Sequence, residues 1–254
     1  MRGLEQLRED LGASMVGATS ALAAADQLCN ACVELLEVDG ASVSLMHHGT
    51  TRGTFGSSGA LSRRLDEFQF TFGEGPCLDA VEQGGPVLVA DLGHPKELRW
   101  PAFRGAVLDA GVSAVFALPV AIAWSRIGAL DLFCNDSGAL THRSLSGGLM
   151  AAELAALPLM DLMSSDVDWD SAAQGDDGWD QLASLERVEV YQATGMIMAS
   201  MDVSPTEALV RLRAHSFARG MTASELALAV VDRKMPLDGV DWLRGPDAPT
   251  GPSQ

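Results

Sequence analysis

The chain has 254 residues, of which 47% are hydrophobic and 20% charged, so it is long enough for two domains and too apolar to be a mostly disordered polymer. Its longest apolar runs, such as 111–124, fall short of the roughly 20 residues a spanning helix needs. The first ten residues carry charges at every turn and no apolar segment of the secretory kind, so a cytoplasmic location without membrane partners is expected.

The net charge of −17 argues at first sight against a nucleic-acid partner, because affinity for phosphate comes largely from Lys and Arg. The charge is unevenly placed. Residues 1–180 hold 10 basic and 25 acidic residues, a net of −15, whereas residues 181–236 hold 6 of each. The acidity belongs to the front of the chain, and the back is neutral rather than basic.

In chain order, residues 4–36 read as one helix, with Leu4, Leu7, Leu11, Leu22, Ala25, Leu28, Cys32, Leu35 and Leu36 at three- and four-residue steps. Alternating residues 41–46 read as a strand and 51–56 as a second. After a connection come strands at 86–90, 112–120 and 127–133, with a helix at 101–109 between two of them. Residues 141–157 read as helix, ended or kinked by Pro158. Strands in succession with helices at either end predict an antiparallel sheet with helices packed on it, an α+β domain. Gly73-Glu-Gly75-Pro76 predicts a tight turn into a helix at 77–81, which places the Cys77 thiol near a helix N-terminus, where a thiolate is favoured. A buried small residue is the plainer reading of Cys77. Cys29 and Cys32 have redox-motif spacing, but inside an apolar helix they read as buried thiols, and no second ligand pair for a metal accompanies them.

Residues 164–181 are acidic and poor in aliphatics, which predicts a linker, and residues 237–254 predict a disordered tail. Between them, 182–236 reads as three helices. The first runs from Leu182 to Met201, its apolar stripe shifting from Leu182, Leu185 and Val188 to Val190, Ala193, Ile197 and Met201. Its front half suits a coiled-coil partner and its back half a local bundle. Ser204-Pro205-Thr206-Glu207 predicts a capping box with proline at the first helical position, followed by a buried stripe of Ala208, Leu209, Leu212 and Ser216. Thr222-Ala223-Ser224-Glu225 repeats the device ahead of Leu226, Ala227, Val230 and Val231.

Glu189-Val-Tyr-Gln-Ala-Thr-Gly-Met-Ile-Met198, then Val203–Ala214 and Leu226–Val231, resemble in order and spacing the ANTAR family of transcription antitermination regulators. The resemblance implies an all-α three-helix module extended by a coiled-coil helix. It also implies a homodimer that binds RNA, namely paired stem-loops with hexanucleotide loops in a nascent leader transcript, and so prevents a terminator hairpin. The RNA contacts it suggests are Gln192, Thr194, Arg211, Arg213, His215 and Arg219. Thr194 stands where the family commonly has lysine, which removes one phosphate-seeking charge. Taken alone, Arg211 and Arg213 could equally be a solvated helix face, and His215 a packing residue. Phe217 is expected in the core, and Tyr191 is a candidate for stacking on a base.

Upstream, Phe72-Gly-Glu-Gly-Pro-Cys-Leu-Asp-Ala80, Val115–Val120 and Ile127–Phe133 resemble the GAF domain over residues 12–163. That resemblance implies a sensor domain for an unidentified small molecule, a dimerisation domain, or both. No haem, bilin, metal or other cofactor is assigned, since His47-His48 offers no ligand pattern, and no catalytic residue is assigned. Two other readings remain open at this level. One is a thiol enzyme reducing methionine sulfoxide, for which Cys77 and Cys134 are the available pair. The other is a DNA- or protein-binding regulator.

Overall fold

The computed structural model describes residues 3–47, 50–164, 187–235 and 237. The chain divides into two compact units, residues 1–186 and 187–254. The expected acidic linker, the front half of the first carboxy-terminal helix with Leu182 and Leu185, and nearly all of the tail lie outside the described residues.

The first unit opens with two helices, α1 (Leu4–Ser14) and α2 (Ala21–Leu36), where the apolar spacing alone predicts one. Ser20 causes the break. It adopts an extended backbone and its hydroxyl accepts from the Ala23 amide at 3.1 Å, capping a new helix. Strands β1 (Gly40–His47) and β2 (Thr50–Ser57) follow, then α3 (Ala60–Phe72) and α4 (Pro76–Gln83). Next come β3 (Val87–Val89), α5 (Pro101–Asp109), β4 (Ala114–Ile122), β5 (Ser125–Cys134) and α6 (His142–Ser164). The sheet order is β2-β1-β5-β4-β3, with every neighbouring pair antiparallel.

Alternation along the strands builds two cores, one on each face of the sheet. Val43, Leu118, Leu130 and Leu132 meet Leu7 and Leu11 of α1, Leu28 and Leu36 of α2, and Ala155 and Leu159 of α6. On the other face Val115, Ala117 and Phe133 meet Leu65 and Phe68 of α3, Ala80 of α4, and Phe103 and Val107 of α5. The expected α+β architecture is therefore present as helix, sheet and helix layers.

Two further elements differ from the sequence expectation. Helix α3 occupies what reads as a mere connection, because its inward face interleaves Ser62, Asp66 and Gln69 with Leu65 and so hides the apolar stripe. Helix α6 continues through Pro158 to Ser164 rather than ending there. Proline costs that helix one amide donor, but Ala155 and Leu159 on either side remain anchored in the core.

The second unit contains α7 (Val188–Met201), α8 (Pro205–Ala218) and α9 (Ala223–Val231), each packed on the other two. Val190, Ala193 and Ile197 of α7 close on Ala208, Leu212 and Ser216 of α8 and on Ala223, Leu226, Ala227 and Val230 of α9. The capping box is complete at Thr222, whose hydroxyl accepts from the Glu225 amide at 3.2 Å while Glu225 accepts from the Thr222 amide at 2.7 Å. At Ser204 only the forward half forms, the hydroxyl accepting from the Glu207 amide at 3.2 Å. The Glu207 carboxylate turns instead to Arg211, one helical turn ahead, at 2.6 Å. A single cap of this kind contributes about 1 kcal/mol.

Candidate functional site

Helix α8 carries three of the six expected RNA-contact residues and Arg219 caps its end, but the four lie on two different faces. Glu207, Arg211, His215 and Arg219 recur every four residues and form one ridge. Arg211 donates to Glu207 at 2.6 Å, and a second N–H group lies 3.4 Å from the Met201 sulfur of α7. Arg219 lies 3.0 Å from His215 Nδ1. Because a guanidinium can only donate, Nδ1 is the acceptor and the imidazole proton sits on Nε2. The His215 ring is buried, so it orients Arg219 rather than projecting towards solvent itself.

Arg213 is two residues from Arg211, about 200° around the helix, and joins Val210 and Phe217 on another face. It is half-buried. Desolvation, and then the neighbouring Arg187 guanidinium, pull it below the ordinary arginine value. Arg187, itself buried at the start of α7, is a residue that the motif reading does not single out. On α7, Gln192 is exposed, whereas the Thr194 hydroxyl donates to the Val190 carbonyl at 2.6 Å and is spent within its own helix.

Phe217 is 57% exposed, not in the core as its type suggests, and Tyr191 is 54% exposed. The core positions of α8 are taken by the small and medium residues Ala208, Leu212 and Ser216, so the phenylalanine is left outside. Two aromatic surfaces and a ridge bearing two arginines are thus available on one small bundle. Stacking on Phe and Tyr, together with guanidinium contacts, is the chemistry that holds unpaired bases and phosphates.

In the first unit, Cys77 is fully buried at the start of α4. Its amide donates to Gln69 Oε1 at 2.8 Å, and its sulfur lies 3.7 Å from that of Met46. Gly75, just before it, has φ +148, and a side chain there would run into Gln69, so the turn fixes both residues. Cys134 packs on the α2/α6 face of the sheet, whereas Cys77 sits under α3 on the other face. Burial, and then Asp39, push the Cys134 thiol up. Burial likewise raises Cys29, and it raises Cys32 to about 12, so both stay protonated, inert thiols as the helical context implies. Among the described residues no group of three His, Cys, Asp or Glu is placed to hold a metal ion.

A second feature of this unit escapes motif reading altogether. Ser42, Ser44, Asp66, Gln69 and Asp131 are all fully buried between the sheet and α3, with Thr54 nearly so. The Ser44 and Thr54 hydroxyls donate to the two oxygens of Asp66, and Gln69 Nε2 donates to Asp131 Oδ2 at 2.5 Å. Burial first, and then the Asp66 carboxylate, push Asp131 up to about 8, so it is largely protonated at neutral pH. The signal in the sequence is the run of polar residues at three- and four-residue steps, Ser62, Asp66 and Gln69, beside Leu65 and Phe68.

The family model described as GAF domain matches residues 18–157, and the one described as ANTAR domain matches residues 181–231. No curated protein matches the chain. Among solved structures, the GAF domain from a phosphoenolpyruvate-protein phosphotransferase of Coxiella burnetii is 18% identical. It covers 63% of this chain and 94% of its own at a TM-score of 0.50. The free methionine-R-sulfoxide reductase of Thermoplasma acidophilum is 18% identical over 61% of this chain and 96% of its own, with a TM-score of 0.41. The sheet order, the two cores and the three-helix bundle agree with the two family matches. The chain belongs to the GAF domain family and carries an ANTAR domain behind its GAF domain.

Proposed function

We propose that this chain is a signal-dependent transcription antiterminator whose GAF domain governs RNA binding by its ANTAR module. The observation that carries this reading is the pairing, in one chain, of a sensor-type domain with an RNA-binding, antitermination-type module. The target is a pair of stem-loops with hexanucleotide loops in a nascent leader transcript, and holding that fold keeps the terminator hairpin from forming. Support comes from the partly exposed Arg211, the exposed Arg219 and Gln192, and the aromatic surfaces of Tyr191 and Phe217. Because residues 181–236 are charge-neutral, one module binds weakly. A homodimer engaging two loops at once then supplies the affinity. Domain limits of 12–163 for the sensor and 182–236 for the RNA module fit this division of labour.

The thiol-enzyme reading has no such support, since Cys77 and Cys134 lie on opposite faces of the sheet and cannot form a disulfide without unfolding it. A DNA-binding alternative is separated by comparing RNA with duplex DNA at matched salt.

The test is a fluorescence titration of a tandem-hairpin RNA against a scrambled RNA of equal length. Wild type is expected to prefer the hairpins, and the Arg211→Ala/Arg219→Ala double variant to lose about tenfold or more in affinity. Its salt dependence should flatten by roughly 0.7–0.9 per phosphate contact removed. Equal affinity for hairpin and scrambled RNA would defeat the proposal.

A further inference from the structure

Helix α6 has two faces that ought to differ in polarity and do not. Its inner face is core, with Ala151, Ala152, Ala155, Ala156 and Leu159 packed towards α2 and the sheet. On the opposite side Leu149, Glu153, Leu157 and Met160 recur at four-, four- and three-residue steps, where a helix on a domain surface normally carries polar residues. Leu149 is 42% exposed, Leu157 54% and Met160 50%, and Leu4 of the adjoining α1 is 38% exposed. Between Arg143 and Asp161 the sequence has one charged residue, Glu153, and Arg8 of α1 pairs with it at 2.7 Å. The result is an apolar strip with a neutralised centre, on a stretch of chain (residues 1–180) whose net charge is −15.

We infer that this strip is an interface between two copies of the chain, in which α6, flanked by α1, packs on the same helices of a second copy about a two-fold axis. Charge selects this occupant. Two copies so rich in carboxylates repel one another over most approaches. Along the strip they meet without opposing net charge. The strip has no excess of basic residues to attract a nucleic acid or an anionic lipid surface.

A two-fold interface presents one surface twice and must be self-complementary. The Arg8–Glu153 pair meets that condition, because Glu153 of one copy can accept from Arg8 of the other. The two carboxylates are then bridged by guanidinium groups instead of opposed. Exposed ion pairs add little energy, so the apolar side chains supply the affinity and the charged pair fixes the register. The size also fits. Helix α6 has 23 residues and is about 35 Å long, and with α1 it offers roughly 500 Å² in projection. Accessible area exceeds projected area, which brings the strip towards the ~800 Å² per copy of a standard interface.

This interface goes beyond the RNA reading and does not depend on it. The test is sedimentation velocity of the full chain, without RNA, over a concentration series. Wild type is expected to dimerise reversibly. Leu157→Glu/Met160→Glu is expected to weaken the dimer about tenfold or more, because carboxylates would be buried without partners. Both side chains are exposed in the single copy, so the fold should stand, and an unchanged melting temperature checks that. Arg8→Glu is expected to weaken the dimer and Arg8→Glu/Glu153→Arg to restore it. A wild-type chain that stays monomeric, or a dimer untouched by Leu157→Glu/Met160→Glu, overturns the interface. A second measurement locates the contact. With a short bis-maleimide, Leu157→Cys is expected to cross-link into dimers well above wild type, and Leu98→Cys, exposed on a loop before α5, is not. Equal cross-linking at the two positions overturns the proposal. Loss of the dimer with hairpin RNA affinity unchanged leaves the interface standing, while the avidity part of the RNA reading falls.

Discussion

Asp131→Asn is expected to make the GAF domain more stable than wild type at pH 7 and to flatten its dependence on pH. The Asp131 carboxyl is raised to about 8 in the fold, from an ordinary value near 3.8. For such a group the favourable term is fully present below the unfolded value and is lost as pH rises through the folded one. Between those limits the unfolded chain sheds a proton that the folded chain keeps. Each pH unit therefore costs about tenfold in the folding constant, or about 1.4 kcal/mol. From pH 5 to pH 7 this one residue accounts for roughly 2–3 kcal/mol of lost stability. Asparagine removes the titration, while its amide oxygen can still accept from Gln69. Urea midpoints of the front-domain transition at pH 5, 6 and 7 would show it. Parallel profiles for wild type and variant would mean that Asp131 is ionised in the fold, against the geometry described.

Gly128→Ala is expected to be the most damaging single-methyl change in the sheet. Gly128 sits on β5 opposite Leu45. A Cβ added there lands on the Ser44 carbonyl oxygen, with the Ser44 carbonyl carbon 3.1 Å and the Leu45 Cα 3.4 Å away. All three are main-chain atoms of β1, so no side-chain rotation relieves the overlap. The β1–β5 ladder must separate locally, and a loss of about 3 kcal/mol is expected, at the top of the range for overpacking. Ser44 also donates to Asp66, so the polar cluster should loosen with the ladder. A urea midpoint equal to that of wild type would rule this out, and isolated RNA binding by the carboxy-terminal module should be unaffected.

How much of this was legible in the sequence follows from the range of the interactions involved. Helix ends were readable because caps act over three residues. Ser204 and Thr222 start helices where their side chains demand it. The strand order and the pairing of Ser42 with Asp131 were not readable, because register depends on partners far apart in sequence. Helix α3 is hidden in the sequence for a chemical reason. Its inward positions are half polar, and a polar residue facing inward is indistinguishable in sequence from one facing water until its partners are known. The Arg211/Arg213 pair shows the opposite error. Motif reading groups them as neighbours, whereas helical geometry sends them to different faces, and the 100° step per residue would have said so. Residue type alone places Phe217 in the core, although Leu212 and Ser216 already fill that stripe.

The distribution of sulfur in the GAF domain has a practical consequence. Four free cysteines report on three parts of the fold: Cys29 and Cys32 within α2, Cys77 at the α3–α4 turn, and Cys134 at the end of β5. Only Cys134 is partly open to solvent. A mild alkylating reagent should therefore titrate one thiol quickly in the native chain and the other three only as their elements open. Mass spectrometry of the labelled peptides would then time the opening of the α2 layer against that of the α4 turn without any introduced probe. The protein carries its own stopwatch for the two faces of its sheet.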